Sequence, residues 1–170
     1  MVYNGFKWDV VGDITLVVKF VLKINCMLIG HYIHQLDDKK RISIPAKWRV
    51  LLGKKIVVTS GLDKSLFVYS LKEWQKIAGK LSELSFTNKD TRSFTRFMLS
   101  NAFEGDLDSV GRILITDSLK NFADIKKKAV LVGMHSRVEI WSEEEWEKYS
   151  KENNKSVDSV ASKLSDIGVF

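Results

Sequence analysis

The sequence carries one arrangement of charged residues twice, an aspartate followed four positions later by an arginine. Asp37 precedes Arg41, and Asp108 precedes Arg112. An arginine that leaves a tight turn can present its guanidinium to a guanine edge and donate two hydrogen bonds. The aspartate can accept hydrogen bonds from N–H groups of the turn, or it can brace the guanidinium and fix its direction. This chemistry is typical of recognition, because neither motif contains a nucleophile with an adjacent base.

Positive charge is concentrated around both motifs. The chain has 27 Lys and Arg against 21 Asp and Glu, a formal net charge of +6. Residues 37–55 contain seven Lys or Arg against two Asp, and residues 108–128 contain five against three. Such groups neutralise phosphates, which is the main source of affinity for DNA. Composition alone leaves a solvated basic face as an equally good interpretation.

Other chemistry is poorly represented in the sequence. No Gly-rich phosphate loop and no Gly-x-Ser-x-Gly motif occurs, and a single Cys excludes most zinc sites. His31 and His34 are three positions apart on an extended segment, so they face opposite sides of a strand and are solvated or packed. No apolar run reaches the roughly 18 residues of a membrane helix. We expect no enzymatic activity, metal, cofactor or membrane partner.

The two motifs belong to a tandem repeat. Residues 36–44 align with residues 107–115 at an offset of 71, and Gly61 aligns with Gly133 at an offset of 72. The second offset also aligns Ser70 with Ser142, Glu73 with Glu145, and Trp74 with Trp146. From about residue 27 the chain is therefore predicted to form two pseudo-symmetric units of roughly 70 residues.

Each unit has the same predicted order of elements. An extended stretch leads into the turn, a short strand leaves it, and a short helix, two strands and a longer helix follow. In the short strand, Ile42 and Ile44 face one side and Arg41 and Ser43 the other. Pro45 fits the first position of the short helix. The predicted ranges are 30–36, 41–44, 45–52, 56–59, 66–69 and a helix from 71, then 102–107, 112–115, 117–123, 129–132, 137–141 and a helix from 143.

The predicted longer helices begin at two capping boxes, Ser70-x-x-Glu73 and Ser142-x-x-Glu145. Trp74 and Trp146 are predicted to pack in the core. The predicted domains are an extension over residues 1–26, a first repeat over 27–84, a connecting helix within 85–101, a second repeat over 102–150 and a mobile polar tail over 151–170.

Residues 1–26 differ in character from the rest of the chain. Lys19 interrupts their apolar stretch, and no small-residue cleavage site precedes Cys26, so neither a secretory signal nor a lipid anchor is expected. Three interpretations stay open. The segment is an additional strand, a disordered tail, or translated upstream DNA in front of a native start at Met27.

These motifs resemble the MraZ family, the bacterial transcriptional regulators encoded at the head of the division and cell-wall gene cluster. The resemblance covers residues 27 to about 150. It rests on Leu-Asp-Asp-Lys-Lys-Arg-Ile-Ser-Ile-Pro-Ala at 36–46, Gly-Leu-Asp at 61–63 with Leu-Phe-Val-Tyr at 66–69, Leu-Asp-x-x-Gly-Arg-Ile-Leu-Ile at 107–115, and Leu-Val-Gly at 131–133 followed by Glu-Ile-Trp at 139–141.

The resemblance implies an α+β, mainly β fold, a swapped-hairpin AbrB-like β-barrel made from two pseudo-symmetric repeats with flanking helices. It also implies a cytoplasmic, nucleoid-associated homo-oligomeric ring. This ring would bind double-stranded operator DNA at short G-rich direct repeats upstream of its own operon. The open alternative is an AbrB-like ring-forming protein-interaction module without specific DNA binding.

The family's DNA-contact motif maps onto the two turns. Arg41 and Arg112 are expected to read bases, Asp37 and Asp108 to shape the turns, and Lys39 and Lys40 to contact phosphate. Two positions depart from the family pattern. Lys40 replaces the usual Gly of the first turn, and Thr116 replaces the Pro that often follows the second, so the two turns need not share one shape.

If Met27 is the native start, the codons of residues 1–26 are upstream DNA and should contain the family's TGGG-type repeats. These repeats recur about one helical turn apart, roughly 10–10.5 base pairs. Trp8-Asp9 must read TGG-GA, which places TGGG at nucleotide 22. The codons AAT-GGG for Asn4-Gly5 and GTG-GG for Val11-Gly12 place further copies at nucleotides 12 and 32. We predict that sequencing the gene finds these codons. Asn4 as AAC, Gly5 other than GGG, or Val11 other than GTG breaks the repeat.

Overall fold

The structure, a computed structural model, describes residues 27–168, so the interpretations of residues 1–26 lie outside the described residues. These residues form eight strands and five helices. In chain order they are β1 Leu28–Gln35, β2 Arg41–Ser43, α1 Ala46–Leu52, β3 Lys55–Ser60, β4 Leu66–Ser70, α2 Leu71–Glu83, α3 Lys89–Ser100, β5 Phe103–Asp106, β6 Arg112–Leu114, α4 Asp117–Phe122, β7 Lys128–His135, β8 Val138–Ser142 and α5 Glu143–Asp166. The predicted order of elements is confirmed. Pro45 occupies the N-cap position of α1, one residue before the first helical position that was predicted for it.

The strands form one six-stranded antiparallel sheet and a separate two-stranded ribbon. The sheet has the order β1-β7-β8-β4-β3-β5, and the ribbon pairs β2 with β6. Both arrangements are symmetric about a pseudo-two-fold axis. This axis passes between β4 and β8, where Phe67 lies opposite Glu139, and between β2 and β6, where Ile42 lies opposite Ile113. The fold is therefore α+β and mainly antiparallel, with two pseudo-symmetric halves.

Each half gives its first strand to the other half. Strand β1 pairs along its whole length with β7 of the second unit, and β5 pairs with β3 of the first. The swapped-hairpin β-barrel that the resemblance implies is not confirmed, because no closed barrel is found among residues 27–168. Strands β1 and β5 end the sheet at opposite edges, and the three-residue strands β2 and β6 pair only with each other.

The main core lies between the ribbon and the sheet. Ile42, Ile44, Ile113 and Ile115 are all fully buried there, in one cluster with the inner face of the sheet. The predicted alternation along the short strand is confirmed, because Arg41 and Ser43 remain partly exposed. Burial of each isoleucine side chain contributes roughly 1.5–3 kcal/mol. The ribbon is thereby held against the sheet with its charged ends outside.

The outer face of the sheet carries the longer helices. Trp74 on α2 is partly buried and packs against a second core cluster of Phe67, Tyr69, Leu81 and Met98. Trp146 on α5 is also partly buried, in an aromatic group with Trp141 and Tyr149 at ring-centroid distances of 5.7 and 5.9 Å. Each tryptophan therefore anchors its helix to the strand that precedes it.

The two predicted capping boxes are half formed. Ser70 Oγ accepts a hydrogen bond from Glu73 N–H at 3.2 Å, and Ser142 Oγ accepts one from Glu145 N–H at 3.2 Å. Each glutamate carboxylate turns instead to a lysine one turn further on, at 2.8 Å in both helices. The serines alone therefore satisfy the helix starts.

Helix α5 is longer than the sequence predicts. It continues to Asp166 through most of the segment 151–170, and its residues beyond position 150 are almost all exposed. This part of the helix was not predicted from the sequence, because the segment is polar and has few large apolar residues. The mobility of the tail stays a prediction.

The strand register corrects one part of the repeat alignment. Gly133 lies opposite Val138, and in the other half Ser60 lies opposite Leu66. Gly133 is therefore the counterpart of Ser60 and not of Gly61. The second unit has two additional residues before β7, and the identity of the two glycines concealed that insertion.

We predict that Gly133→Ala destabilises the protein by roughly 1–3 kcal/mol, because overpacking has costs of this size. A Cβ at this position would lie 2.5 Å from Ile29 N and 2.5 Å from Leu28 C, in the backbone of the exchanged strand β1. The matched control is Gly79→Ala in the interior of α2, where a Cβ meets nothing within 4 Å. This control should stabilise the protein by about 0.5–1 kcal/mol. Denaturant unfolding measures both changes, and equal effects would contradict the tight β1–β7 contact.

Candidate nucleic-acid interface

The two Asp-x-x-x-Arg turns have the same backbone hydrogen bonds. In the first turn, Asp37 N–H donates to the Arg41 carbonyl and Lys40 N–H donates to the Asp37 carbonyl, both at 2.9 Å. The second turn repeats both bonds at 2.9 Å between Asp108, Arg112 and Gly111. The two turns therefore share one shape, despite the difference in their sequences.

The shared shape requires a left-handed residue at the same position of each turn. Gly111 adopts φ 82° and Lys40 adopts φ 59°. This conformation costs a non-glycine residue roughly 1–2 kcal/mol. Lys40 therefore has the same left-handed backbone conformation as Gly111, although it replaces the usual Gly of the turn. In this conformation Lys40 Nζ forms an ion pair with Asp117, the first residue of α4, at 2.6 Å.

Each aspartate both caps its turn and braces its arginine. Asp37 Oδ1 accepts hydrogen bonds from the N–H groups of Lys39 and Arg41, each at 2.9 Å. Its Oδ2 accepts a hydrogen bond from Arg41 Nε at 2.9 Å. In the second turn, Asp108 Oδ1 accepts from Arg112 N–H and its Oδ2 from Arg112 Nε, both at 2.8 Å. The two roles that the sequence left open are therefore filled together.

The ribbon brings the two turns into one cluster. Because β2 and β6 pair, Arg112 Nη1 donates to Asp37 Oδ2 at 3.2 Å, across the pseudo-two-fold axis. Arg41 Nη1 contacts Asp108 Oδ2 at 3.5 Å in the equivalent position. The four side chains keep 27–30% of their surface exposed. We call these four residues, Asp37, Arg41, Asp108 and Arg112, the charge cluster.

The arginines hold both aspartates in the charged form. The side-chain hydrogen bond from Arg41 is the main reason that the pKa of Asp37 lies below its ordinary value. The pKa of Asp108 is also lowered, chiefly by the hydrogen bond from the backbone N–H of Arg112. Both carboxylates are therefore ionised at neutral pH, and the two guanidinium groups are oriented before any ligand binds.

The lysines of the first turn have different surroundings. The side chain of Lys39 is exposed, and among residues 27–168 it has no acidic partner. The charge of Lys40 is paired with Asp117, and that contact is also the main cause of the lowered pKa of Asp117. Thr116, the second departure from the family pattern, caps α4 through its hydroxyl group, which accepts a hydrogen bond from Leu119 N–H at 3.4 Å.

One cation beside the second turn lies outside both Asp-x-x-x-Arg motifs and was not predicted from the sequence. Arg49 on α1 donates from Nε to the Ile44 carbonyl at 2.8 Å. Its guanidinium also occupies the space that a side chain on Gly111 would need. The signal in the sequence that could have indicated the position of Arg49 is the contrast between Lys40 and Gly111 at equivalent positions of the two turns.

Neither histidine of β1 lies in a metal site. His31 packs its ring 6.2 Å from Trp146, and the strand register confirms that His34 faces the opposite side. Within the part of the chain that the structure describes, no group of three His, Cys, Asp or Glu side chains could hold a metal ion. No helix in this part is long and apolar enough to span a membrane.

Two arginines presented by paired turns, with lysines around them, are typical of nucleic-acid recognition and not of an enzyme active site. The chain belongs to the MraZ family. A family model described as "MraZ protein, putative antitoxin-like" matches residues 27–97 and matches again at residues 98–166. The two matches confirm the tandem repeat.

Relatives in several bacteria agree with this assignment. The chain is 48% identical to "Transcriptional regulator MraZ" of Alkaliphilus oremlandii (strain OhILAs). It is 49% identical to the protein of that name in Thermoanaerobacter sp. (strain X514) and 51% identical to that in Clostridium beijerinckii (strain ATCC 51743 / NCIMB 8052). Each alignment covers 143 residues, which are 84% of this chain and 100% of the relative. Proteins of this family are transcriptional regulators and not enzymes.

We predict that the charge cluster makes stability depend on pH in the acid range. Because the folded-state pKa of each aspartate is lowered, its contribution is fully present above the unfolded-state value of about 3.9 and is lost as pH falls through the folded-state value. Denaturant unfolding gives the free energy of unfolding at pH 6 and at pH 3. The difference between these two free energies should be smaller for Asp108→Asn than for the unaltered chain. Asp158→Asn on the exposed part of α5 is the control and should leave that difference unchanged. An unchanged difference for Asp108→Asn would count against the charge cluster.

Proposed function

We propose that the chain is a sequence-specific DNA-binding transcriptional regulator of the division and cell-wall gene cluster. Its targets are G-rich direct repeats upstream of its own operon. The observation that carries this proposal is the charge cluster, in which two arginines from different repeats are held side by side by two ionised aspartates. The names of the relatives support the regulatory role.

The geometry leaves donors available for bases. A guanidinium has five N–H groups. In Arg41 the contacts with Asp37 and Asp108 involve Nε and both terminal nitrogens, which leaves one N–H on each terminal nitrogen. Two such donors match the O6 and N7 acceptors of guanine, and the major groove admits a two-stranded ribbon. Arg41 and Arg112 therefore read bases, and Asp37 and Asp108 hold them in register.

The lysines of the first turn supply phosphate contacts. Lys39 is ready for this role, because its ammonium group is exposed beside the charge cluster. Lys40 reaches a phosphate by exchanging Asp117 for it, which costs little because both side chains are well exposed. These two contacts strengthen binding to any sequence and add no specificity.

We also infer an assembly of several copies with the swapped-hairpin arrangement of the AbrB type. The exchange of β1 and β5 between the halves supports that arrangement. A homo-oligomeric ring in the cytoplasm, associated with the nucleoid, presents several charge clusters and raises affinity for repeated sites through effective concentration. Light scattering at micromolar concentration should show a multi-subunit species, and a monomer alone would contradict the ring.

We predict that Arg41→Ala and Arg112→Ala each weaken binding to operator DNA by about 1–3 kcal/mol, with little change for scrambled DNA. Lys39→Ala should weaken binding to both DNAs and reduce the slope of log affinity against log salt by about 1. The matched control is Lys163→Ala. Lys163 is an exposed lysine in the last turn of α5 and belongs to neither Asp-x-x-x-Arg turn. Fluorescence anisotropy titrations at several salt concentrations measure all four variants.

The same titrations separate the proposal from its rival. The description "antitoxin-like" of the matching family model favours a second candidate, an AbrB-like ring that binds another protein without specific DNA binding. Equal affinity of the unaltered chain for operator and scrambled DNA would support that candidate. Unchanged operator affinity of Arg112→Ala at every salt concentration would show that the second turn does not read DNA.

A further inference from the structure

We propose that Arg49 on α1 is a phosphate-contacting residue of the second turn, and that it supplies the cation which this turn lacks. This inference rests on the proposed function, since it assigns a further residue to the same surface. Arg49 lies outside both Asp-x-x-x-Arg motifs. The structure places it against the crest of the second turn, in a contact between the two repeats.

The two turns differ in the cations that they carry themselves. The first contains Lys39 and Lys40 between its aspartate and arginine, and the second has Val110 and Gly111 in their places. Without a contribution from elsewhere, the second turn has Arg112 as its only cation, and that charge is already engaged by the charge cluster. The second half would then hold the DNA backbone less well than the first.

The pseudo-two-fold axis places a helix of the opposite repeat beside each turn. Helix α4 lies beside the first turn, where Asp117 pairs with Lys40. Helix α1 lies beside the second turn, where the counterpart of Asp117 is Ala46. Arg49 has no acidic partner among residues 27–168, so its charge is not neutralised as that of Lys40 is.

Gly111 and Arg49 fit each other. A Cβ on Gly111 would overlap Arg49 Nε and Cζ, so the absence of a side chain is what admits the guanidinium. The bond from Nε to the Ile44 carbonyl at 2.8 Å fixes the base of the group. The terminal nitrogens remain for a ligand. Arg49 and the second turn also line one open cleft of about 550 Å³, together with Lys54.

A phosphate suits this position better than a base. Arg49 comes from a helix beside the ribbon, whereas Arg41 and Arg112 come from the strands of the ribbon itself. An additional phosphate contact adds about 0.9 to the salt slope. Between 1 M and 0.1 M salt, a slope difference of this size corresponds to roughly a tenfold difference in affinity.

The test compares Arg49→Met with Lys120→Met, the substitution at the equivalent position of α4. Arg49→Met should bind both operator and scrambled DNA about tenfold more weakly at 0.1 M salt, with the salt slope reduced by about 1. Arg49→Lys should keep most of the salt slope, because lysine keeps the positive charge. Lys120→Met should reduce affinity and salt slope less than Arg49→Met does. Far-UV circular dichroism melts of each variant confirm that it is folded.

A second variant tests the contact with the turn. In Gly111→Asn, the asparagine can adopt the left-handed conformation of the turn. Its Cβ, however, must displace the side chain of Arg49. Gly111→Asn should therefore reduce the slope of log affinity against log salt by as much as Arg49→Met does. The double variant with both substitutions should reduce this slope no further than either single variant.

The outcomes separate this inference from the proposed function. An unchanged salt slope for folded Arg49→Met, with operator binding by the unaltered chain intact, overturns the role of Arg49 alone. A loss confined to operator DNA with an unchanged slope also overturns it, because it indicates a base contact. Absence of DNA binding by the unaltered chain overturns both.

Discussion

The pairing of β2 with β6 is the interaction on which the rest of the structure depends. Its centre is the contact between Ile42 and Ile113, both fully buried on the axis. Because the ribbon is only three residues long on each side, burying these two residues brings both turns to one place. The charge cluster then forms without any further element. Apolar burial on one face of the ribbon thus determines the position of the charged side chains outside the core.

The elements of each repeat could be predicted from the sequence because their signals are local. Alternation of Ile and polar residues indicates a half-buried strand, and Ser three positions before Glu indicates a helix start. The exchange of β1 and β5 could not be predicted in this way, because strand pairing over long separations leaves no local pattern. The turns were found as separate motifs, and only the register of the ribbon shows that Asp37 contacts Arg112.

Identity of residue type was a poor guide to equivalence in one place and a good guide in another. Gly61 and Gly133 match in type, but they occupy different positions of their hairpins. Lys40 and Gly111 differ in type, and yet both adopt the left-handed conformation that the turn requires. Backbone hydrogen bonding defines the repeat more strictly than side chains do. The side chains are free to differ, and the two halves have therefore come to carry unequal charge.

The exchange of first strands also concerns the order in which the protein is made. Leu28 in β1 pairs with His135 in β7, which is 107 positions later in the chain. At a synthesis rate of roughly 5–20 residues per second, β1 leaves the ribosome about 5–20 s before its partner exists. During that interval Ile29 and Ile33 belong to an unpaired strand with apolar side chains on a face that is exposed even in the finished protein. The nascent first repeat therefore cannot complete its sheet, and it keeps an open strand edge until the second repeat has been translated.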